Sequence, residues 1–339
     1  MKKIRWGILG LGSIAQVFAK SFNFCDHGQL VAISSQDRNK LNQFQNDFKI
    51  EDQYCFNNYK DLIKCNDIDI IYLALPNSLH FKWICECIDQ EKNVLVEKPA
   101  LSNVKESENL IKFLENKSFF LVEGFMYRFH PQINIIIDLI KNNVIGELLS
   151  MESYFGSDIL TKKNFLGFKL RKKPNEKNRI FNKNLGGGAI LDLGCYTTSF
   201  SSIIASLKSK FKAINVTNKK KEICSTGVDI DSYGELHFDN NFKSKVGASF
   251  SKNIGRKSKI YGQKGEIIIE DTWFGSNSII VKKNDKNEII KINKIKNIYS
   301  MEIDHLSKNL LENKKQIDIS GLRLNDIILN TRVLNDWLI

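Results

Sequence analysis

Asp192, Cys195 and Tyr196 stand within five positions in "GGGAILDLGCYTTSF", residues 186–200, behind three consecutive glycines. A thiolate can attack a carbonyl, a phenol can pass a proton, and a carboxylate can orient a cation or accept from hydroxyls. The same segment also reads as the glycine-led start of a buried helix. Upstream, "LALPNSLH" carries Leu75, Pro76, Asn77 and His80, and "VLVEKPA" carries Glu97, Lys98 and Pro99. A third group, "EGFMYRFHPQ" at 123–132, brings Arg128 and His130. What these side chains do depends on the elements that hold them.

Residues 1–123 alternate short apolar runs with helical patterns. Strands are predicted at 4–10, 30–35, 69–75, 93–97 and 119–123, and helices at about 13–25, 37–47, 59–65, 78–90 and 103–116. That rhythm calls for a parallel sheet covered on both faces, with ligands at the rim formed by the strand ends. Beyond residue 123 the pattern changes to a helix over 131–141, a strand near 147–155, a long helix from about Gly188, and close-spaced strands between 211 and 283. Turn residues such as "DNN" and "GQKG" favour antiparallel hairpins. The expected fold is an α/β domain on a parallel sheet (1–123) followed by an α+β domain with antiparallel hairpins (124–339). Two closing helices, near 300–312 and 322–338, complete it, and the last is in a position to pack back on the first domain.

"GILGLGSIA" supplies Gly10 and Gly12 between a strand and a helix, with Ala15 where a third small residue is wanted. This is the dinucleotide fingerprint: a tight turn, close backbone approach to a diphosphate, and Ser13 and Ile14 offering first-turn N–H groups. The second strand ends in "AISSQDR". An acid directly after that strand selects NAD by binding the ribose hydroxyls. Ser34 and Ser35 stand there instead, with Arg38 close by and Asp37 placed to cap the next helix. NADP is therefore preferred slightly over NAD, with both kept open. Pro76 and Asn77 end a strand at the ligand rim, and His80 lies either at the cofactor or in a local helix-start contact. Pro99 biases Lys98 toward an extended backbone.

The chain has 339 residues and a formal charge of +12, room for two cores. Lysines are spread along it, so no nucleic-acid partner is expected. The strongest basic run, residues 161–183, either faces an anionic ligand or is a solvated loop. Seven cysteines (Cys25, Cys55, Cys65, Cys85, Cys87, Cys195 and Cys224) form an odd set that suits free thiols in a reducing compartment. No apolar run reaches the roughly 20 residues of a membrane span. The expectation is a cytoplasmic protein with no membrane partner, and no residue set requires a metal.

Taken in order, "GILGLGSIA", "IYLALPNSLH", "VLVEKPA", "EGFMYRFHPQ" and "GGGAILDLGCY" resemble the glucose-fructose oxidoreductase, inositol dehydrogenase and rhizopine-catabolism (Gfo/Idh/MocA) family. The resemblance implies an α/β Rossmann domain followed by an α+β domain with an open, mainly antiparallel sheet, and NAD(P)-dependent alcohol–carbonyl interconversion on a sugar, sugar derivative or cyclic diol, in a homodimer or homotetramer. It implies that Lys98 is the active-site lysine, that Pro99 follows a cis bond, and that Asp192 is the family acid. Tyr196 stands where many members have histidine, as in the dihydrodiol dehydrogenase and sugar ketoreductase branches. Tyr196 then transfers the proton while hydride moves to or from the nicotinamide. Bringing a phenol from about 10 to about 7 requires roughly 4 kcal/mol, part of which Lys98 has the sign to supply. Asp192 binds substrate hydroxyls or orients Lys98. Arg128 binds a substrate anion or ties the domains together, the latter preferred, and His130 lines the pocket. The alternatives are a sugar-nucleotide 3-ketoreductase, whose diphosphate the basic run would meet, and a catalytically inactive cofactor-binding regulator or structural oligomer. Cys195 is expected only to pack.

Overall fold

The computed structural model describes every residue except Met1, residues 164–167, Asp285, Asp318, Ser320 and Gly321. Two compact units emerge, Met1–Phe129 with Ile295–Ile328, and His130–Lys294 with Leu329–Ile339.

The first unit is built on a parallel sheet of β1 (Ile4–Leu9), β2 (Gly28–Ser34), β3 (Cys55–Phe56), β4 (Ile70–Leu73), β5 (Asn93–Glu97) and β6 (Leu121–Gly124). The strand order is β3-β2-β1-β4-β5-β6, the doubly wound Rossmann arrangement. Helices α1 (Ser13–Ser21), α2 (Arg38–Phe48), α3 (Tyr59–Lys64), α4 (His80–Asp89) and α5 (Val104–Leu114) form the crossovers. β4, with the sequence IIYL, is buried at all four positions, as a central strand covered on both faces must be. Phe18 of α1 stacks on Tyr72 of β4 at 3.8 Å between ring centres. Asp37, Asn58 and Asn103 cap α2, α3 and α5 with their side chains, supplying acceptors that the first helical N–H groups lack. β3 escaped the sequence reading because two residues carry no alternation.

The second unit opens with α6 (Pro131–Lys141) and β7 (Leu148–Gly156), followed by a short hairpin of β8 (Thr161–Lys163) and β9 (Lys169–Arg171), and by α7 (Cys195–Lys208). The remaining strands are β10 (Ile214–Ile223), β11 (Asp229–Phe238), β12 (Lys243–Ser249), β13 (Ser258–Gly262), β14 (Gly265–Ile269), β15 (Ser278–Lys283) and β16 (Lys286–Lys291). They pair in the order β10-β11-β12-β7-β13-β14-β15-β16. Only β12 and β7 run parallel, so the sheet is mixed and largely antiparallel. β16 was not anticipated, because its "KNEIIK" is almost wholly exposed. Lys183–Lys208 is long and apolar enough to cross a bilayer, yet 72% of its apolar window is buried within the protein, as in a core helix.

After β16, α8 (Ile298–Leu311) returns to the first unit, where Trp6 Nε1 donates to Ser307 Oγ at 3.0 Å. α9 (Leu324–Leu338) closes the chain, and the division between units falls inside it, after Ile328.

Candidate active site

In the first unit the fingerprint turn depends on Gly10. Its φ is +95°, and a Cβ there would come 2.8 Å from the Ala74 carbonyl oxygen and 2.7 Å from Leu75 Cδ2. Only glycine tolerates both, so the end of β1 lies directly against the end of β4. Gly12 precedes α1, and a Cβ there would meet nothing within 4 Å. The turn thus keeps one face open beside Ser13 and Ile14, whose N–H groups have no intrahelical acceptor by the geometry of a first turn. Ala15 is fully buried under that turn. At the end of β2, Ser34 is fully buried and its Oγ has no hydrogen-bond partner among the described residues. Ser35 Oγ accepts from Asp37 N–H, and Asp37 in turn accepts from Asn39 and Lys40 N–H. The acid near this strand is therefore committed to capping, while Arg38 is exposed at the start of α2. An open glycine turn, a helix N-terminus and an orphaned hydroxyl at the neighbouring strand end fit a dinucleotide.

At the next strand end, Asn77 is buried at 2% exposure and Pro76 precedes its 3-10 turn. His80 is fully buried, with Nε2 2.9 Å from the Leu75 carbonyl oxygen and Nδ1 3.0 Å from that of Pro99. Its imidazole is thus engaged with backbone, and it acts on any ligand through the two chain segments it links. The Lys98–Pro99 bond is cis. Tyr72 donates a hydrogen bond to Glu97 Oε1. Burial pushes the Tyr72 pKa well above the ordinary phenol value, and the neighbouring Glu97 pushes the same way. Glu302 of α8 is fully buried; burial and the Glu97 charge hold its pKa well above the usual carboxylate value. Arg128 is 2% exposed, and its guanidinium nitrogens have no hydrogen-bond partner among the described residues. Burial lowers its pKa, with Tyr127 and Asp326 opposing.

In the second unit, His130 accepts from Gln132 N–H through Nδ1 at 3.2 Å and caps α6. Burial lowers its pKa despite Asp271, so the imidazole is a neutral cap. The glycine run ahead of α7 has a specific cause. Gly188 has φ +116°, and a Cβ there would stand 2.3 Å from Asp229 Oδ1. Asp229 uses that space to accept from Ile190 N–H at 2.8 Å and from Ser232 Oγ at 2.8 Å. Residues Ile190–Gly194 then form a π-helical turn before α7 begins at Cys195. The long helix expected from about Gly188 therefore starts differently: a wider turn, of the kind often found at functional sites, lies between Asp192 and the regular α-helix that carries Tyr196.

Asp192 Oδ1 accepts from Arg179 at 3.0 Å, with the two side chains 14% and 38% exposed. Tyr196 is 5% exposed and meets Phe155 edge-on at 5.2 Å and Trp273 at 5.6 Å. Trp273 also stacks on Phe155. Cys195 is fully buried and donates to the Asp192 carbonyl at 3.7 Å, a packing role. Sequence reasoning missed Arg179 and Asp229. Arg179 lay inside the basic run, where nothing distinguished it from eight other cations between 161 and 183. In that run Arg171 pairs with Glu222 at 3.4 Å, and Lys172, Lys173 and Lys177 are exposed.

Comparison with known proteins follows the same division. Residues 4–125 match the model of an oxidoreductase family with an NAD-binding Rossmann fold, and residues 134–268 match the GFO/IDH/MocA C-terminal domain. A trans-1,2-dihydrobenzene-1,2-diol dehydrogenase from Xenopus tropicalis is 28% identical over 333 residues, covering 96% of this chain and 94% of that protein. Among solved structures, an aldose-aldose oxidoreductase from Caulobacter crescentus, complexed with glycerol, superposes with a TM-score of 0.84 at 22% identity, over 99% of this chain and 97% of that one. A 3-ketoreductase from Actinomadura kijaniata, in complex with NADP and TDP-benzene, gives 0.79 at 18% identity, over 98% and 96%. At these identities the two structures speak for the fold.

Proposed function

The chain belongs to the Gfo/Idh/MocA family of NAD(P)-dependent oxidoreductases, and from that premise we propose that it reduces, reversibly, a carbonyl of a cyclic polyhydroxylated small molecule, with Tyr196 as proton donor. Acting on CH–OH and carbonyl groups of sugar-like or cyclic diol substrates is the family's chemistry. The observation that carries the finer reading is the setting of Tyr196, a phenol against Phe155 and Trp273 in the same unit as the Arg179–Asp192 pair. Aromatic walls with a few oriented polar groups suit a ring whose faces are apolar and whose rim carries hydroxyls.

A bound reduced nicotinamide supplies the hydride that the carbonyl carbon receives. The Tyr196 hydroxyl gives its proton to the oxygen, and in the reverse direction its phenolate takes the alcohol proton. Lys98 polarises that oxygen and favours the phenolate. Asp192, held by Arg179, accepts from substrate hydroxyls and takes no proton in the reaction. Gly10, Gly12, Ser13, Ile14, Ser34, Ser35, Leu75, Pro76, Asn77 and Glu97 would line the dinucleotide, with Arg38 favouring the 2'-phosphate of NADP. Arg128 and His130 have supporting roles, the first toward an anionic group and the second as a cap that shapes the pocket wall. A homodimer or homotetramer in a reducing cytoplasm accompanies this reading. The seven free thiols agree with such a compartment.

A screen of free sugars, dihydrodiols and sugar nucleotides against NADPH and NADH, followed at the reduced nicotinamide absorbance, tests it. Turnover with NADPH preferred is expected. Cofactor binding without turnover on any of the three classes would sink the proposed mechanism. The exposed cations of 171–177 support a second reading in which the substrate is a sugar nucleotide. Charge reversal at Arg171 and Lys172 then raises KM and removes its salt dependence; an unchanged KM defeats that version.

A further inference from the structure

Both ends of the Pro99–Ala100 peptide group, which follows Lys98, are held by buried side chains. The Pro99 carbonyl oxygen lies 3.0 Å from His80 Nδ1, and Ala100 N–H donates to Glu123 Oε1 at 2.8 Å. Glu123 is the third residue of β6 and is 2% exposed. Parallel pairing sets Val96 opposite Glu123 and Glu97 opposite Gly124, so the register brings the Glu123 carboxyl to the end of the strand that launches Lys98. Next to it, the strands approach closely at Gly124, where a Cβ would come 3.1 Å from the Val96 carbonyl oxygen. A buried carboxyl is costly unless something uses it, and neither the hydride nor the proton transfer above does.

Resting on the oxidoreductase reading, we propose that Glu123 is a positioning residue for Lys98: its carboxyl fixes the turn through the Ala100 N–H, and its ionisation sets how firmly the Lys98 ammonium keeps its proton. The groups that act on the carboxyl are the Ala100 N–H, Asp326 of α9, and Lys98 and Glu97 from the end of β5. Burial raises its pKa to about 8; Asp326 and Glu97 push the same way, and the Ala100 N–H and Lys98 oppose. Below that pH Glu123 is neutral and holds the turn as an acceptor alone. Above it a carboxylate stands near the ammonium and favours its charged form. Lys98 thereby stays cationic into the alkaline range, where it must polarise the substrate oxygen.

Two substitutions separate the functions. Glu123→Gln keeps an acceptor for Ala100 N–H but never ionises, whereas Glu123→Leu removes both acceptor and charge. The full chain is reductively methylated with carbon-13 formaldehyde, which preserves lysine charge, and the Lys98 resonance is assigned by its loss in Lys98→Arg. In the wild type that resonance should show an inflection near pH 8 before the amine itself titrates. Glu123→Gln should lose the inflection and shift the amine titration to lower pH. An inflection that survives in Glu123→Gln, or its absence from the wild type, overturns the proposal. This readout needs no turnover, so it is independent of whether the substrate class has been read correctly. In the kinetic arm, Glu123→Leu lowers kcat by about tenfold or more with dinucleotide Kd unchanged, and Glu123→Gln recovers much of that loss at neutral pH. Equal kcat in wild type and Glu123→Leu would refute the positioning role. If Glu123→Leu fails to fold, the Glu123→Gln titration still decides.

Discussion

A single oxygen separates Tyr196 from phenylalanine, and the proposed chemistry resides in that atom. Tyr196→Phe keeps the edge contacts to Phe155 and Trp273 while removing the proton donor. The expected fall in kcat is about 10²- to 10⁴-fold, with dinucleotide affinity by fluorescence titration unchanged. Cys195→Ser should leave kcat within a small factor, since the thiol is fully buried and bonded to the Asp192 carbonyl; abolished activity in a folded variant would restore a cysteine mechanism. Arg179→Gln frees Asp192 from its ion pair, and KM should rise more than kcat falls. Lys98, Asp192 and Tyr196 stand out in the sequence as candidates because each sits in a short motif whose spacing is local. Arg179 does not, because its partner is 13 residues away across a loop without periodicity. Asp229 does not, because it caps Ile190 from 39 residues downstream. Long-range polar pairing leaves no mark on local pattern.

At the scale of elements, the π turn of Ile190–Gly194 rests on one carboxylate. Asp229→Ala leaves the buried Ile190 N–H without its acceptor, a loss of about 1 to 3 kcal/mol measurable by urea unfolding. Gly188→Ala should cost at least as much, because it combines a φ of +116° with a clash against Asp229; a stability equal to wild type in both variants would show that the turn does not depend on this contact. The sequence made the central strands plain, since β4 and the Val94–Val96 centre of β5 are apolar runs between helical patterns. It hid β16, whose exposed charges look like a turn. It also misjudged the start of α7, because helical periodicity does not distinguish an inserted π residue from a regular turn.

For the whole molecule, buried carboxyls set the response to pH. Burial raises the folded-state pKa of Glu123 to about 8, and raises those of Asp229 and Glu302 as well. For each, the unfolded chain gives up its proton first as pH rises, so their contribution is whole below the ordinary carboxylate pKa and is lost as pH climbs through the folded value. Asp69 behaves oppositely: against its burial, Arg5 holds it below 3.8, so its contribution disappears only in strong acid. Scanning calorimetry should therefore find Tm falling between about pH 5 and about pH 8, and Glu302→Gln should flatten that fall; a Tm that rises over this interval contradicts the assignment. The sequence put a domain boundary at residue 123 and expected the last helix to return to the first domain; the segment grouped with the first unit is Ile295–Ile328, which begins earlier, holds α8 and only the start of α9, and is marked by no shift in composition. That return has a consequence for how the protein is made. Trp6, near the start of the chain, bonds to Ser307, 301 residues later. At roughly 5 to 20 residues per second, the ribosome delivers that partner about 15 to 60 s after the first strand has emerged. During that interval the apolar face of β1 that carries Trp6 needs protection, and the nucleotide-binding unit, though encoded first, is among the last parts of the protein to be completed.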